Sequence, residues 1–153
     1  MKISKRDRAT LDRAATICER LAIYEARDTM GNPEAVRRIL RYKFAGKTRE
    51  EFHVLYLNSQ HELLATECMF VGTIDGASVY PREIVKAALA HNAAALLLAH
   101  NHPSGAAEPS VGDRRITERL QAALALVDIR VIDHVIMGSD TRESFSFAED
   151  GVL

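Results

Sequence analysis

Short apolar runs of strand length alternate with amphipathic helical stretches through the last two thirds of the chain, and this alternation most constrains its fold. The strand candidates are the runs 52–57, 62–71, 93–99, 129–137 and 145–147. Residues 81–92 and 110–127 carry apolar side chains at helical spacing between them. The pattern predicts an α/β (α+β) fold in which a mixed sheet is flanked by helices.

The first third of the chain has a different hydrophobic pattern, because its apolar residues recur at helical spacing over 6–27 and again over 33–45. Asn32 followed by Pro33 is typical of a helix N-cap and the first helical position. Two such helices are too few to bury their own apolar stripes. We therefore predict an N-terminal helical hairpin, residues 1–47, that packs on a core domain, residues 48–153.

Several protein classes are excluded by composition. No stretch approaches the roughly 18 uncharged apolar residues that a membrane span needs, so we expect no membrane partner. The segment that follows Met1 is charged and does not resemble the apolar region of a secretory signal. The two cysteines, Cys18 and Cys68, form no CxxC pair, and we expect reduced thiols in a cytoplasmic protein.

Charge is divided unevenly along the chain, with a net +7 in residues 1–49 and a net −8 in residues 50–153. One interpretation is a basic arm that binds nucleic acid. The other is a basic layer that lies against the acidic body of the same chain. Few aromatic side chains accompany the basic residues, which makes a stacking platform for nucleic acid a weak prediction.

The stretch that carries chemistry begins at His100-Asn-His102-Pro and continues with Ser110-Val-Gly-Asp113, with seven residues between His102 and Ser110. It follows an apolar run, and ligands of such sheets bind at the carboxyl ends of strands. We expect this spacing to place the two histidines on opposite faces of a regular strand, and Pro103 and Gly105 to break that regularity so that both side chains turn toward one point, where Asp113 adds a carboxylate suited to zinc. Ser110 and Asp113 also match a helix capping arrangement, and the two interpretations are compatible.

These residues resemble the JAMM (MPN-plus) metalloprotease family, and the strings VYPREIVKAAL and DHVIMG make the RadC-like branch the nearest match, over roughly residues 48–153. The resemblance implies a JAB/MPN (cytidine-deaminase-like) core. It also implies one zinc ion per chain, with the ligands His100, His102 and Asp113. In the family the serine, here Ser110, acts near the reacting oxygen, and a glutamate from an earlier strand is the general base.

The resemblance favours Glu50 for that glutamate, because in RadC-like sequences the matching position lies two residues before the phenylalanine, here Phe52; Glu51 is the alternative. Asn101 and Ser104 would orient the histidines. The pair Asp133-His134 is more typical of a structural hydrogen-bonding pair than of a second metal site.

The resemblance implies a zinc-dependent hydrolase that cleaves peptide or isopeptide bonds in a peptide or protein substrate with a metal-activated water. Two alternatives stay open. One is a DNA-associated, repair-related protein that uses the basic N-terminal third. The other is a non-catalytic metal-binding interaction module.

Overall fold

The structure is a computed structural model that describes residues 3–25, 30–72 and 79–153. Its elements follow the predicted order of helices and strands and are α1 (Lys5–Glu25), α2 (Pro33–Phe44), β1 (Glu51–Leu57), β2 (Leu63–Val71), α3 (Pro81–Ala90), β3 (Ala95–Asn101), α4 (Val111–Ala125), β4 (Arg130–Met137) and β5 (Ser144–Ser146). The end of the first predicted helix and most of the loop predicted over 72–78 lie outside the described residues. None of the helices within the described ranges has the length and apolar character required to cross a bilayer.

The five strands form one sheet in the order β2-β1-β3-β4-β5. Strand β3 runs parallel to β4, and all the other neighbours are antiparallel. The sheet is therefore mixed, as the alternation of apolar runs and helices predicted. The parallel pair lies at its centre, where β3 is buried along its whole length.

Helices cover both faces of the sheet and divide the core into two clusters. On one face α2 packs against alternate residues of β1 and β3; the cluster includes Val36, Ile39, Leu40, Phe44, Leu55, Leu57, Leu97 and Ala99. On the other face α3 and α4 pack against the intervening residues; the cluster includes Phe52, Val54, Tyr56, Ile84, Leu96, Leu98, Leu120 and Leu124. The period-2 alternation of a strand thus determines which helix each side chain meets.

Helix α2 begins as predicted, since the Asn32 side chain accepts a hydrogen bond from the Glu34 amide at 3.0 Å and Pro33 is the first helical residue. Helix α1 contacts both α2 and β2. The apolar stripe of α2 is buried against the sheet.

Strand β3 continues two residues beyond the predicted end at Ala99, because β4 pairs with it as far as Asn101, opposite Met137. His100 and Asn101 are therefore strand residues. A bulge in β4 accompanies this pairing: Leu96 lies opposite Val131 and Leu97 opposite Asp133, so that Ile132 is the extra residue. Such a bulge reverses the facing of every side chain that follows it.

Candidate metal centre

Two histidines at the carboxyl end of β3 form the centre of the site. His100 and His102 are two residues apart, and residues at that spacing share a face of a strand. Their Nε2 atoms lie 3.0 Å apart. The expectation that they lie on opposite faces is wrong, because alternate residues share a face and the His102 amide continues the pairing with β4 by donating to the Met137 carbonyl at 2.8 Å.

Asp113 in the first turn of α4 completes the group. Its Oδ1 lies 3.1 Å from His100 Nε2, and its Oδ2 lies 3.5 Å from His102 Nε2. One ligand atom from each of the three residues falls within 4.8 Å of the others. Asp113 and His100 are almost fully buried, and His102 keeps part of its surface open to solvent.

Ser110 fixes Asp113 through a capping box. The Asp113 amide donates to Ser110 Oγ at 3.1 Å, while the Ser110 amide donates to Asp113 Oδ2 at 2.7 Å. Ser110 Oγ also donates to Asp113 Oδ2 at 2.7 Å. The start of the helix and the position of the carboxylate are therefore set by the same hydrogen bonds, which agrees with the compatibility of the two sequence interpretations.

A chain of buried hydrogen bonds orients His100. Its Nδ1 lies 2.8 Å from His134 Nε2, and His134 Nδ1 lies 2.6 Å from the Thr117 hydroxyl. Thr117 donates its hydroxyl proton to the Asp113 carbonyl at 2.6 Å. Since the Thr117 proton is used there, His134 Nδ1–H donates to Thr117, and His134 Nε2 accepts from His100 Nδ1–H. This order leaves the Nε2 lone pair of His100 free for a metal.

His102 is oriented by its own hydrogen bond, because its Nδ1 lies 3.1 Å from the Ala106 carbonyl and must carry the proton. Both histidines therefore direct an unprotonated Nε2 toward the carboxylate of Asp113. Two imidazole nitrogens and one carboxylate are the donors that zinc accepts when a fourth position stays open. These residues fit a bound divalent metal.

The pKa values of the group reflect burial and mutual contact. Burial lowers the pKa of His100 below its usual range, although Asp113 opposes the shift. Contact with the Asp113 carboxylate raises the pKa of His102. Burial alone would raise the pKa of Asp113, but its contacts with the His100 and His102 rings hold it far below its ordinary value. Burial, followed by the charge of His100, holds the pKa of His134 well below its usual range.

The two candidate glutamates differ in what they contact. Glu50 is close enough to His100 and His102 for its charge to raise the pKa of both. Glu51 instead has its Oε2 2.9 Å from His53 Nε2 and its Oε1 3.1 Å from Lys47 Nζ. The charge of Glu50 thus affects the pKa of both candidate metal-binding histidines, whereas the carboxylate of Glu51 contacts His53 and Lys47.

Asn101 holds the backbone on either side of Glu50. The Glu51 amide donates to Asn101 Oδ1 at 2.8 Å, and Asn101 Nδ2 donates to the Arg49 carbonyl at 3.0 Å. On the β2 side the Gly72 amide donates to the Glu50 carbonyl at 2.8 Å. The prediction that Asn101 orients the histidines is therefore wrong, because its amide positions the segment that carries Glu50.

His134 and Asn101 are the contributors whose roles the sequence did not indicate. The Asp133-His134 pair was expected to be structural, and Asp133 is so: its carboxylate accepts hydrogen bonds from Ser146 Oγ at 2.7 Å and from the Ala148 amide at 3.0 Å. His134 faces the opposite side, as the next residue of a strand does, and the bulge at Ile132 makes that side the one on which His100 lies. An isolated strand pattern carries no signal for that bulge.

Comparison with known proteins gives consistent matches. The profile of the RadC-like JAB domain matches residues 30–152. The UPF0758 protein YeeS of Escherichia coli is 51% identical over 147 residues, which cover 96% of this chain and 97% of that protein. UPF0758 proteins of Cellvibrio japonicus and Vibrio campbellii are 58% and 56% identical, over 82% and 81% of this chain but 55% and 54% of their own length. The chain thus spans about half the length of these two relatives and nearly all of YeeS.

Proposed function

The chain belongs to the RadC-like JAB domain family, and from this premise we propose that it is a zinc-dependent hydrolase of peptide or isopeptide bonds. The family includes metal-dependent hydrolases. The observation that carries the proposal is the convergence of His100, His102 and Asp113 within 4.8 Å, with the second nitrogen of each imidazole already hydrogen-bonded as a donor. Because both imidazoles carry their proton on Nδ1, their Nε2 atoms offer lone pairs to a cation.

Zinc, when bound, would polarise the scissile carbonyl and lower the pKa of a water molecule toward about 7. The chain's own residues supply the proton transfers. The Glu50 carboxylate accepts the proton of the attacking water and returns it to the leaving amine. The effect of its charge on the pKa of both histidines supports this assignment.

Ser110 has a second role in this proposal, beside its capping role. Its hydroxyl proton is donated to Asp113 Oδ2 in the structure. In the second role the same hydroxyl would donate its proton to the developing oxyanion in place of Asp113. Removal of one oxyanion donor typically costs about 10²–10³ in rate.

The test begins with metal content. Elemental mass spectrometry of the tag-free wild type should find zinc, and His102→Ala should lower its content because one of three ligands is lost. Peptide and isopeptide substrates are then screened with wild type, Glu50→Gln and, as a matched control, Glu83→Gln. Glu83 lies on α3 beside Arg82 and Lys86, far along the chain from the centre.

We expect Glu50→Gln to keep its zinc and lose turnover, while Glu83→Gln resembles the wild type. A wild type that takes up no metal when zinc is supplied would refute the hydrolase proposal. Normal turnover by Glu50→Gln would refute the assignment of the base alone.

A further inference from the structure

A second group of metal-binding side chains lies at the start of β1. Glu51 and His53 are two residues apart on that strand, and Cys68 of β2 pairs directly with His53. One ligand atom from each of the three falls within 4.8 Å of the others. The His53 ring meets Phe44 of α2 edge-on, with centroids 5.1 Å apart, so this group lies on the α2 face of the sheet.

His53 is not fully accounted for by hydrogen bonds of the protein. Its Nε2 contacts Glu51 Oε2 at 2.9 Å, whereas its Nδ1 is buried and finds no partner among the residues that the structure describes. The whole residue is only 5% exposed. A buried ring nitrogen without a partner carries a desolvation cost, and a bound cation is one way to remove it.

We propose that Glu51, His53 and Cys68 bind a second divalent ion, of the kind that accepts a thiolate ligand, such as zinc. One thiolate, one imidazole and one carboxylate suit zinc and cobalt, whereas magnesium and calcium prefer oxygen ligands alone. Cys68 is exposed and leaves the group open to an ion from solvent. No ligand is shared with His100, His102 or Asp113, so the inference does not rest on the proposed hydrolase.

The positive charge of Lys47 opposes cation binding at this site. Its Nζ lies 3.1 Å from Glu51 Oε1 and 3.8 Å from Asp12 Oδ1 of α1. An ion that takes the Glu51 carboxylate therefore displaces Lys47 toward an acceptor that it already contacts. Lys43 adds a further positive charge near His53 and Cys68. These charges repel a cation, but they also favour the thiolate of Cys68, because they partly offset the rise in its pKa that burial causes.

The test uses cobalt(II) as the probe, because a thiolate ligand gives cobalt a near-ultraviolet charge-transfer band and histidine or carboxylate ligands do not. The full chain is titrated as wild type and as the double variant His100→Ala/His102→Ala, which removes the first centre. We expect the thiolate band in both proteins. Cys68→Ser should abolish it, and the matched control Cys18→Ser should keep it.

Elemental analysis gives an independent readout. The double variant should retain about one bound ion per chain, and adding Cys68→Ser should remove it. The inference is overturned if the double variant shows no thiolate band, or if Cys18→Ser removes the band. Either result leaves the proposed hydrolase untouched, since that proposal depends on the zinc lost with His102.

Discussion

His134 should control both the stability of the metal-free protein and its affinity for zinc. The substitution His134→Leu introduces an apolar side chain of similar volume and removes both ring nitrogens. His100 Nδ1–H then has no acceptor in a site where both residues are 0% exposed. An orphaned buried donor costs about 1–3 kcal/mol. The Thr117 hydroxyl still donates to the Asp113 carbonyl, so its contribution is small.

The same change leaves the His100 ring without the partner that fixes its tautomer. Loss of such a partner typically weakens metal binding about 10–100-fold. We therefore expect His134→Leu to lower the free energy of unfolding of the metal-free protein by about 1–3 kcal/mol, and zinc affinity by about 10–100-fold. Urea unfolding in the presence of chelator measures the first quantity, and competition with a chromogenic chelator measures the second.

Thr117→Val is the matched control, because it breaks the chain of hydrogen bonds one step further from the metal. Stability should fall in that variant, because His134 loses its hydrogen-bond partner. Zinc affinity should change less than in His134→Leu, because His100 keeps its acceptor. If His134→Leu binds zinc within about twofold of the wild type, the hydrogen bond to His100 does not set the tautomer. His134 would then be a core residue whose loss acts on stability alone.

Three further predictions follow from the same contacts. Asn101→Leu severs both hydrogen bonds to the backbone beside Glu50; it should speed hydrogen exchange at the Glu51 amide, measured by NMR, while zinc content stays at the wild-type level. Contact with Asp113 raises the pKa of His102, and a proton on its Nε2 competes with the metal. As the pH is lowered, zinc affinity should therefore begin to decrease at a pH above 6.5, the ordinary histidine pKa; chelator competition across pH measures this. Fluorescence anisotropy should find that residues 1–49 give DNA binding that is weak and lost with rising salt, because several of their basic side chains contact carboxylates of the same chain; tight, salt-resistant binding would contradict this.

Much of the fold could be predicted from the sequence because hydrophobic periodicity records which face of each element is buried. The order of helices and strands and the mixed sheet follow from it, as does the start of α2 at Asn32-Pro33. The predicted end of β3 at Ala99 is two residues too early, since polar residues at 100 and 101 are typical of a strand terminus. They are kept in the strand by pairing with β4, a contact between segments about 35 residues apart that local pattern does not encode.

The candidate site could likewise be predicted only in part. His100, His102, Ser110 and Asp113 lie in one short stretch, and the resemblance of that stretch to the RadC-like family implies a shared metal site. The contribution of His134 depends on the bulge in β4, and a bulge is visible only once two strands are paired.

The division of neighbouring residues between two faces makes the register of β1 against β3 critical. His100 and His102 face α4, while Asn101 between them reaches across to the backbone of β1. A slip of one residue would reverse every side chain and place an amide where the histidines meet. Two contacts oppose that slip: Phe52 pairs with His100 and stacks on it with centroids 6.0 Å apart, and the Asn101 amide bonds Glu51 and Arg49 in one register only. The residues between and beside the metal ligands thus hold the strands in the single alignment that assembles the centre.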